Sequence, residues 1–149
     1  MSFASIMGRR LGVSSRYGNL LGKGGDLAIT QPCADCSITV AAEAGDARAI
    51  TIQLKDAYGA DINYVETVEI IVYFNAAMTA FVVTGGSTGI AIGTDGALLT
   101  VVAKKYFLAT SEADGDLDLT WTDTGTEVAF LGVRLPNGRV VISSALTNA

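Results

Sequence analysis

Three segments of the chain, ARAITIQLKD, ETVEIIVYF and DLDLTWT, place apolar residues at every second position. These positions are Ile50, Ile52 and Leu54; Val68, Ile70, Val72 and Phe74; and Leu117, Leu119 and Trp121. Because successive side chains of a β-strand point to opposite faces, each segment predicts a strand with one face in a core and one toward water. Shorter apolar runs predict further strands at 37–41, 78–83, 98–103, 105–110, 127–135 and 139–146. We expect Trp121 to lie in the core.

Turn signals separate the predicted strands. The connections DAYGAD, GTDG, EADGD and TDTGT are too short to contain a helix, which favours antiparallel neighbours over parallel crossovers. Asn137-Gly138 suits a tight hairpin, because both residue types tolerate a positive φ. No segment after residue 37 has the periodicity of a helix. Strands of this number and spacing predict an all-β fold, an antiparallel β-sandwich, with a small β-barrel as the alternative.

Several segments, taken in order, resemble a known family. AITIQLKDAYGADI, ETVEIIVYF, GGSTG and DGDLDLTWTDTGTEVAFLGVRLPNGRVVISSALTNA together resemble an immunoglobulin-like domain found in structural proteins of tailed-bacteriophage virions. The resemblance covers residues 48–149 of the chain. It implies an immunoglobulin-like antiparallel β-sandwich in a virion component, such as a capsid decoration or cement protein or an accessory part of the head or tail.

The first 25 residues differ in charge from the rest of the chain. They contain four basic and no acidic residues, whereas residues 26–149 contain six basic and 15 acidic ones, a net charge of −9. An acidic body repels phosphate backbones and four positive charges are too few for a genome-packaging arm, so we expect no nucleic acid partner. Ordering some 25 residues without an apolar period would cost about 25–50 kcal/mol, at 1–2 kcal/mol each. We therefore predict an N-terminal arm and linker over residues 1–36 and the sandwich over residues 37–149.

We expect this arm to bind an acidic protein surface. Guanidinium groups pair with carboxylates in a fixed fork geometry, and leucine side chains fill shallow apolar pockets. A plain disordered tail is the alternative. The predicted contact residues are Arg9, Arg10, Leu11, Arg16, Leu20, Leu21 and Lys23.

The chain contains no histidine. Its absence removes Ser-His-Asp and Cys-His nucleophile systems, histidine-ligated zinc and the commonest general base. The segment GNLLGKGG has three residues between Gly18 and Gly22, where a phosphate-binding loop needs four. We therefore predict a protein that is not an enzyme, with no catalytic residue, no cofactor and no metal site. The glycine-rich segment 85–96 is predicted as a flexible surface loop that contacts neighbours or receptors.

Two small clusters are candidate chemical sites. Cys33 and Cys36 form a single C-x-x-C, which we interpret as two reduced thiols at the entrance of a strand; shared zinc and a late disulfide are the alternatives. Asp114, Asp116 and Asp118 have the spacing of a calcium loop, but leucine stands at the position where that loop needs glycine. Alternation with Leu117 and Leu119 instead places Asp116 and Asp118 on a solvated strand face.

Half of the residues are apolar and the mean hydropathy is +0.41, which predicts apolar surface that faces a partner. The longest apolar region is interrupted by Asn75 and is shorter than the ~20 residues of a membrane span, so we expect no membrane partner. The combined hypothesis is a capsid decoration or cement protein, assembled in the host cytoplasm into the virion. Its arm binds the major capsid protein or other virion subunits, and its copies form a homo-oligomer, with a trimer suiting threefold lattice positions. The alternatives are a head- or tail-fibre module that binds a host surface glycan, and a neck or tail accessory component.

Overall fold

The computed structural model of the protein describes residues 31–149, and every regular element in this range is a β-strand. The strands are β1 (Cys33–Val40), β2 (Ala47–Asp56), β3 (Thr67–Tyr73), β4 (Gly89–Ile92), β5 (Ala97–Val102), β6 (Tyr106–Thr110), β7 (Asp116–Thr122), β8 (Phe130–Arg134) and β9 (Val140–Ala145). Within this range there is no helix long and apolar enough to cross a membrane.

The strands form two sheets in which all neighbours are antiparallel. The four-stranded sheet has the order β1-β2-β7-β4, and the five-stranded sheet has the order β5-β6-β3-β8-β9. Their inner faces pack on one core, and β1 packs against β9 at one side of the pair. The predicted all-β antiparallel sandwich is therefore confirmed.

The core consists of the alternating apolar residues of both sheets. Ile50, Ile52 and Leu54 of β2 and Leu117, Leu119 and Trp121 of β7 are buried as the sequence predicts. Val68, Ile70 and Val72 of β3 are also buried. Phe74 departs from the prediction: it follows the last residue of β3 and is 41% exposed.

The strand predicted at 37–41 begins earlier, at Cys33. Residues 33–36, which fall in the segment that the sequence assigned to arm and linker, therefore pair with β2. The compact unit that contains the sandwich begins at Gln31.

The predicted hairpin at Asn137-Gly138 joins β8 to β9. Gly138 has a φ of 85°, and its N–H donates to the carbonyl of Leu135 at 2.8 Å. The side chain of Asn137 accepts a hydrogen bond from the N–H of Arg139 at 3.0 Å. A left-handed residue at the end of the loop is the conformation that glycine adopts without strain, so the dipeptide indicates this hairpin correctly.

The prediction of a strand at 78–83 is wrong. Within residues 31–149, this segment forms a single isolated bridge, with Phe81 opposite Tyr73. Met78 has a φ of 57°, and the side chain of Asn75 bonds both the N–H and the hydroxyl of Thr79, at 3.2 and 2.7 Å. These contacts make the chain turn where the apolar run suggested extended backbone.

The prediction of a flexible loop at 85–96 is also wrong for part of that segment. Strand β4 lies within it and pairs with β7, with Ile90 opposite the buried Trp121. The strand is four residues long and flanked by glycines, so its local sequence resembles a loop. Pairing with a distant strand decides its conformation.

Replacing Ile70 by alanine is expected to lower the free energy of unfolding by about 2–5 kcal/mol, because the side chain is fully buried and its loss leaves a cavity. Ile71 is the matched control, since it lies on the same strand but faces outward, and Ile71→Ala should cost clearly less. Chemical denaturation of both variants measures the difference. Equal losses would contradict the assignment of inner and outer faces.

Candidate interaction face

The two outer faces of the sandwich differ in chemistry. On the four-stranded sheet the outward residues are polar, and the hydroxyl of Thr51 donates to the carboxylate of Asp118 across β2 and β7 at 2.8 Å. Polar side chains of this kind form hydrogen bonds with water. The strand register gives its polar members as Ser37, Thr39, Thr51, Gln53, Asp116, Asp118, Thr120 and Thr122.

On the five-stranded sheet most outward residues are apolar. They form one surface, which we call the apolar face and which Glu69 and Arg134 interrupt in the row of Leu108 and Val140. Leu99 at its edge is 63% exposed, and its inner members are half-buried by one another. The apolar face comprises Leu99, Val102, Tyr106, Leu108, Ile71, Tyr73, Phe130, Val140 and Ile142.

A groove continues the apolar face beyond the end of β3. It has a volume of about 300 Å³ and is lined by Ile71, Tyr73, Met78, Thr79, Ala80 and Phe81. Phe81 is 53% exposed and lies opposite Tyr73, so two aromatic rings flank the groove. The turn held by Asn75 brings these side chains to the same side as the apolar face.

Gly132 at the centre of β8 makes room for an aromatic ring on this surface. A Cβ atom added there would lie 2.6 Å from Cε2 of Tyr73 and 3.3 Å from Cγ1 of Val140. The tyrosine ring therefore lies directly over the glycine backbone, and only glycine leaves room for it.

Two charged residues, Glu69 and Arg134, lie within this outer surface, in the row of Leu108 and Val140. The hydroxyl of Tyr106 donates to the carboxylate of Glu69, and Nε of Arg134 lies 3.4 Å from Oε2 of Glu69. The hydrogen bond to Glu69, followed by desolvation, raises the pKa of the Tyr106 hydroxyl. The apolar face thus contains one polar cluster, formed by Tyr106, Glu69 and Arg134.

The start of the glycine-rich segment 85–96 is held inward by a carboxylate. Glu127 accepts hydrogen bonds from the N–H groups of Thr84, Gly85 and Gly86 at 2.7, 2.9 and 2.8 Å, and from the hydroxyl of Thr84 at 2.5 Å. Burial of Glu127 acts to raise its pKa, but these hydrogen bonds outweigh it and lower the pKa below the ordinary value of 4.5. Lys104 holds the same segment by donating hydrogen bonds from Nζ to the carbonyls of Gly86 and Ser87, at 2.9 and 2.8 Å.

The two cysteines lie at the start of β1 as buried, free thiols. An irregularity in the pairing between Cys33 and Asp35 turns both toward the core, although residues three apart on a regular strand face opposite sides. Burial, followed by the charge of Asp35, raises the pKa of Cys36 to about 12. Burial and then the charge of Glu66 raise the pKa of Cys33. Among residues 31–149 no group of three or more cysteine or acidic side chains has the arrangement of a metal site.

The acidic residues of β7 face outward, as the sequence predicts. Asp116 and Asp118 pair with Gln53 and Thr51 on the polar outer face. Burial raises the pKa of Asp116, and the charges of Asp118, Asp114 and Asp95 add to the effect. Strand β7 lies between β2 and β4, so these acids are on a central strand of the sheet and not on an edge strand.

The predicted contact residues of the arm lie outside the described part of the chain. These are Arg9, Arg10, Leu11, Arg16, Leu20, Leu21 and Lys23. The sequence predicts apolar surface that faces a partner but does not assign it to this sheet, although the signal for its position is present. In EIIVYF and KYFLAT both parities of the strand are apolar, whereas in ARAITIQLKD and DLDLTWT only one is.

The fold and this site define a class: an antiparallel two-sheet sandwich with one polar and one apolar outer face. A scan against models of protein families found no match, and a search of curated proteins found none either. Among solved structures, a cohesin module from a family 33 glycoside hydrolase of Clostridium perfringens is similar, with 17% identity and a TM-score of 0.40. The match covers 78% of this chain and 97% of that module. A likeness of this size carries no conclusion about function.

Replacing Glu127 by glutamine is expected to lower the stability of the sandwich at pH 7 by about 1–3 kcal/mol, because hydrogen bonds to a charged acceptor are weakened. In the native protein the folded-state pKa of Glu127 lies below 4.5, so its contribution is present above that pH and is lost as pH falls through the folded value. The stability difference between the two proteins should therefore shrink on acidification. Denaturant unfolding from pH 7 to pH 3 measures it, and a constant difference would contradict this role.

Proposed function

We propose that this protein is a structural subunit of a tailed-phage virion, most specifically a capsid decoration or cement protein. The observation that carries the proposal is the apolar face on the five-stranded sheet, which contrasts with the polar outer face of the other sheet. The resemblance of residues 48–149 to virion immunoglobulin-like domains supplies the setting. The major capsid protein or another virion subunit is the partner that we propose for the apolar face.

The size of the apolar face indicates that a second contact is needed. A sheet of five strands spaced about 4.8 Å apart, with five residues of about 3.4 Å each, presents roughly 20 by 17 Å, or about 340 Å². A stable interface buries about 800 Å² on each partner. The apolar face therefore supplies less than half of such an interface.

The basic N-terminal arm is the second contact in this proposal. Its four positive charges complement an acidic protein surface, and an extended segment reaches about 3.3–3.6 Å per residue across a neighbour. Face and arm each bind weakly. Joined in one chain, and multiplied in a homo-oligomer, they raise the effective concentration of every further contact and hold neighbouring shell subunits together.

A host-glycan recognition module is the second candidate, favoured by one observation. Tyr73 and Phe81 flank a groove of about 300 Å³, and aromatic rings are common platforms for sugar rings. A glycan array screened with the full chain tests this candidate. Binding that is lost in Phe81→Ala would favour recognition over decoration.

Replacing Leu108 by lysine is expected to weaken attachment to virions by about thirtyfold, the effect of losing a hot-spot contact of ~2 kcal/mol. The residue lies on the apolar face opposite Glu69, which gives the new ammonium group a partner and preserves the fold. Thr39→Lys is the matched control, because Thr39 lies on the polar outer face. Equilibrium binding to virions stripped of this protein measures both, and equal affinity of the two variants would contradict the role of the apolar face.

Replacing the arm cations Arg9, Arg10, Arg16 and Lys23 together by glutamine is expected to abolish attachment while the melting temperature of the sandwich stays unchanged. Quantitative mass spectrometry of virions produced with the variant counts the copies that remain. A variant that still decorates particles at full occupancy would overturn the arm contact. In native virions, a copy number far below that of the capsid subunits would indicate a neck or tail component.

A further inference from the structure

In the described part of the chain, the side of the sandwich where β5 forms the edge is closed less than the other side, by a small contact between β5 and β4. At the opposite side β1 packs against β9 and closes the core. Among residues 31–149, β5 pairs only with β6, and the exposed fractions of Leu99, Val101 and Val102 are 63%, 50% and 47%. Ile92, at the end of the adjacent β4, is 41% exposed. Apolar side chains and the unpaired side of a strand therefore occur together here.

Edge strands are usually protected by charges, proline, bulges or short length, because an open edge pairs with another strand. Two other edges of this sandwich follow that rule: β1 carries Asp35 beside an irregularity, and β4 has four residues. The strand β5, with the sequence ALLTVV, has no charged residue and no proline. Its bulge lies between Thr100 and Val102, which leaves residues 97–100 in regular register.

The two ends of β5 carry opposite charges. Asp95 precedes the strand and lies beside Glu112 and Asp114, with which it lines a shallow pocket. Lys104 and Lys105 follow the strand. Lys105 forms no ion pair with another residue of the described range, and the same is true of Asp95.

We propose that β5 is a dimerisation edge that pairs antiparallel with β5 of a second copy of this chain. In that arrangement the acidic end of each strand lies against the basic end of the other, at both ends of the pair. A parallel pair would place like charges together. The charge pattern therefore favours the second copy as occupant and fixes its direction.

The geometry of antiparallel pairing also joins the two apolar faces. Directly opposite residues in such a pair point to the same side, so a register centred on Leu99 places it against Leu99 of the second copy. The twofold axis is perpendicular to the sheets, and the two five-stranded sheets become one sheet of ten strands. Both apolar faces then lie on one side. This pair replaces the trimer expected from the sequence, because a twofold axis closes on two copies.

The dimer does not depend on the proposed virion role, and the two are tested separately. Sedimentation of the purified full chain is expected to give the mass of a dimer. Leu99→Lys is expected to weaken the dimer by about tenfold or more, because two ammonium groups would meet at its centre. Thr39→Lys, on the edge strand β1 of the other sheet, is the matched control and should leave the mass unchanged.

Complementary charge reversals provide the decisive arm of the experiment. Asp95→Lys makes both ends of β5 basic, so like charges meet at both ends of the pair. Lys105→Glu places an acidic side chain against Asp95 of the second copy. Each variant alone should therefore dissociate more readily than the native dimer. Mixing the two variants should restore pairing as a heterodimer, which native mass spectrometry distinguishes by mass. Lys104 is left intact because it holds the carbonyls of Gly86 and Ser87.

The proposal is overturned if the native chain is a monomer or a trimer, or if its dimer survives Leu99→Lys unchanged. It is also overturned if mixing the charge variants yields no heterodimer while circular dichroism shows both to be folded. A monomer whose Leu99 edge is covered by residues 1–30 of the same chain falls under the first of these outcomes.

Discussion

The packing of two inner sheet faces around Trp121 is the constraint on which the rest of this structure depends. Trp121 is fully buried and lies opposite Ile90 of β4 and Arg48 of β2, so one side chain fixes the register of three strands. Gly86 is held against the same ring, since a Cβ atom there would lie 2.9 Å from it. Because side chains alternate, the burial of one parity of each strand decides which residues face outward. The polar and apolar outer faces are consequences of this core.

The two outer faces differ in the groups that they present. The outer face of the four-stranded sheet presents threonine and aspartate side chains, which water solvates. The outer face of the five-stranded sheet presents apolar side chains that lie outside the core. Glu127 and Lys104 hold the start of the glycine-rich connection that precedes β4. In the proposed assembly, the apolar face, the β5 edge and the basic arm provide three separate contacts.

Much of the fold could be predicted from the sequence, because period-two alternation in β2, β3 and β7 directly reflects burial of one face. The short strand β4 could not, since its glycine-flanked sequence is extended only through pairing with Trp121 and its neighbours. Residues 78–83 are the opposite case, because their apolar run predicts a strand and the chain instead makes a turn held by Asn75. Their apolar side chains lie at the end of the outer face. The position of the apolar face was not predicted, because the alternation in β3 identifies Val68, Ile70 and Val72 as core and leaves the apolar residues at its other parity without an assigned side. Only the strand register separates Ile70, which is buried, from Ile71, which faces outward.

Hydroxyl-radical footprinting of the protein free and bound to virions tests the central claim, that the outer face of the five-stranded sheet is an interaction surface. Met78, Tyr73 and Phe81 are reactive side chains at this face, and Tyr58, which is 84% exposed at the turn after β2, is an internal control. The account predicts that binding protects the first three from oxidation and leaves Tyr58 unchanged. Unaltered oxidation of Met78 and Phe81 in the bound protein would contradict it.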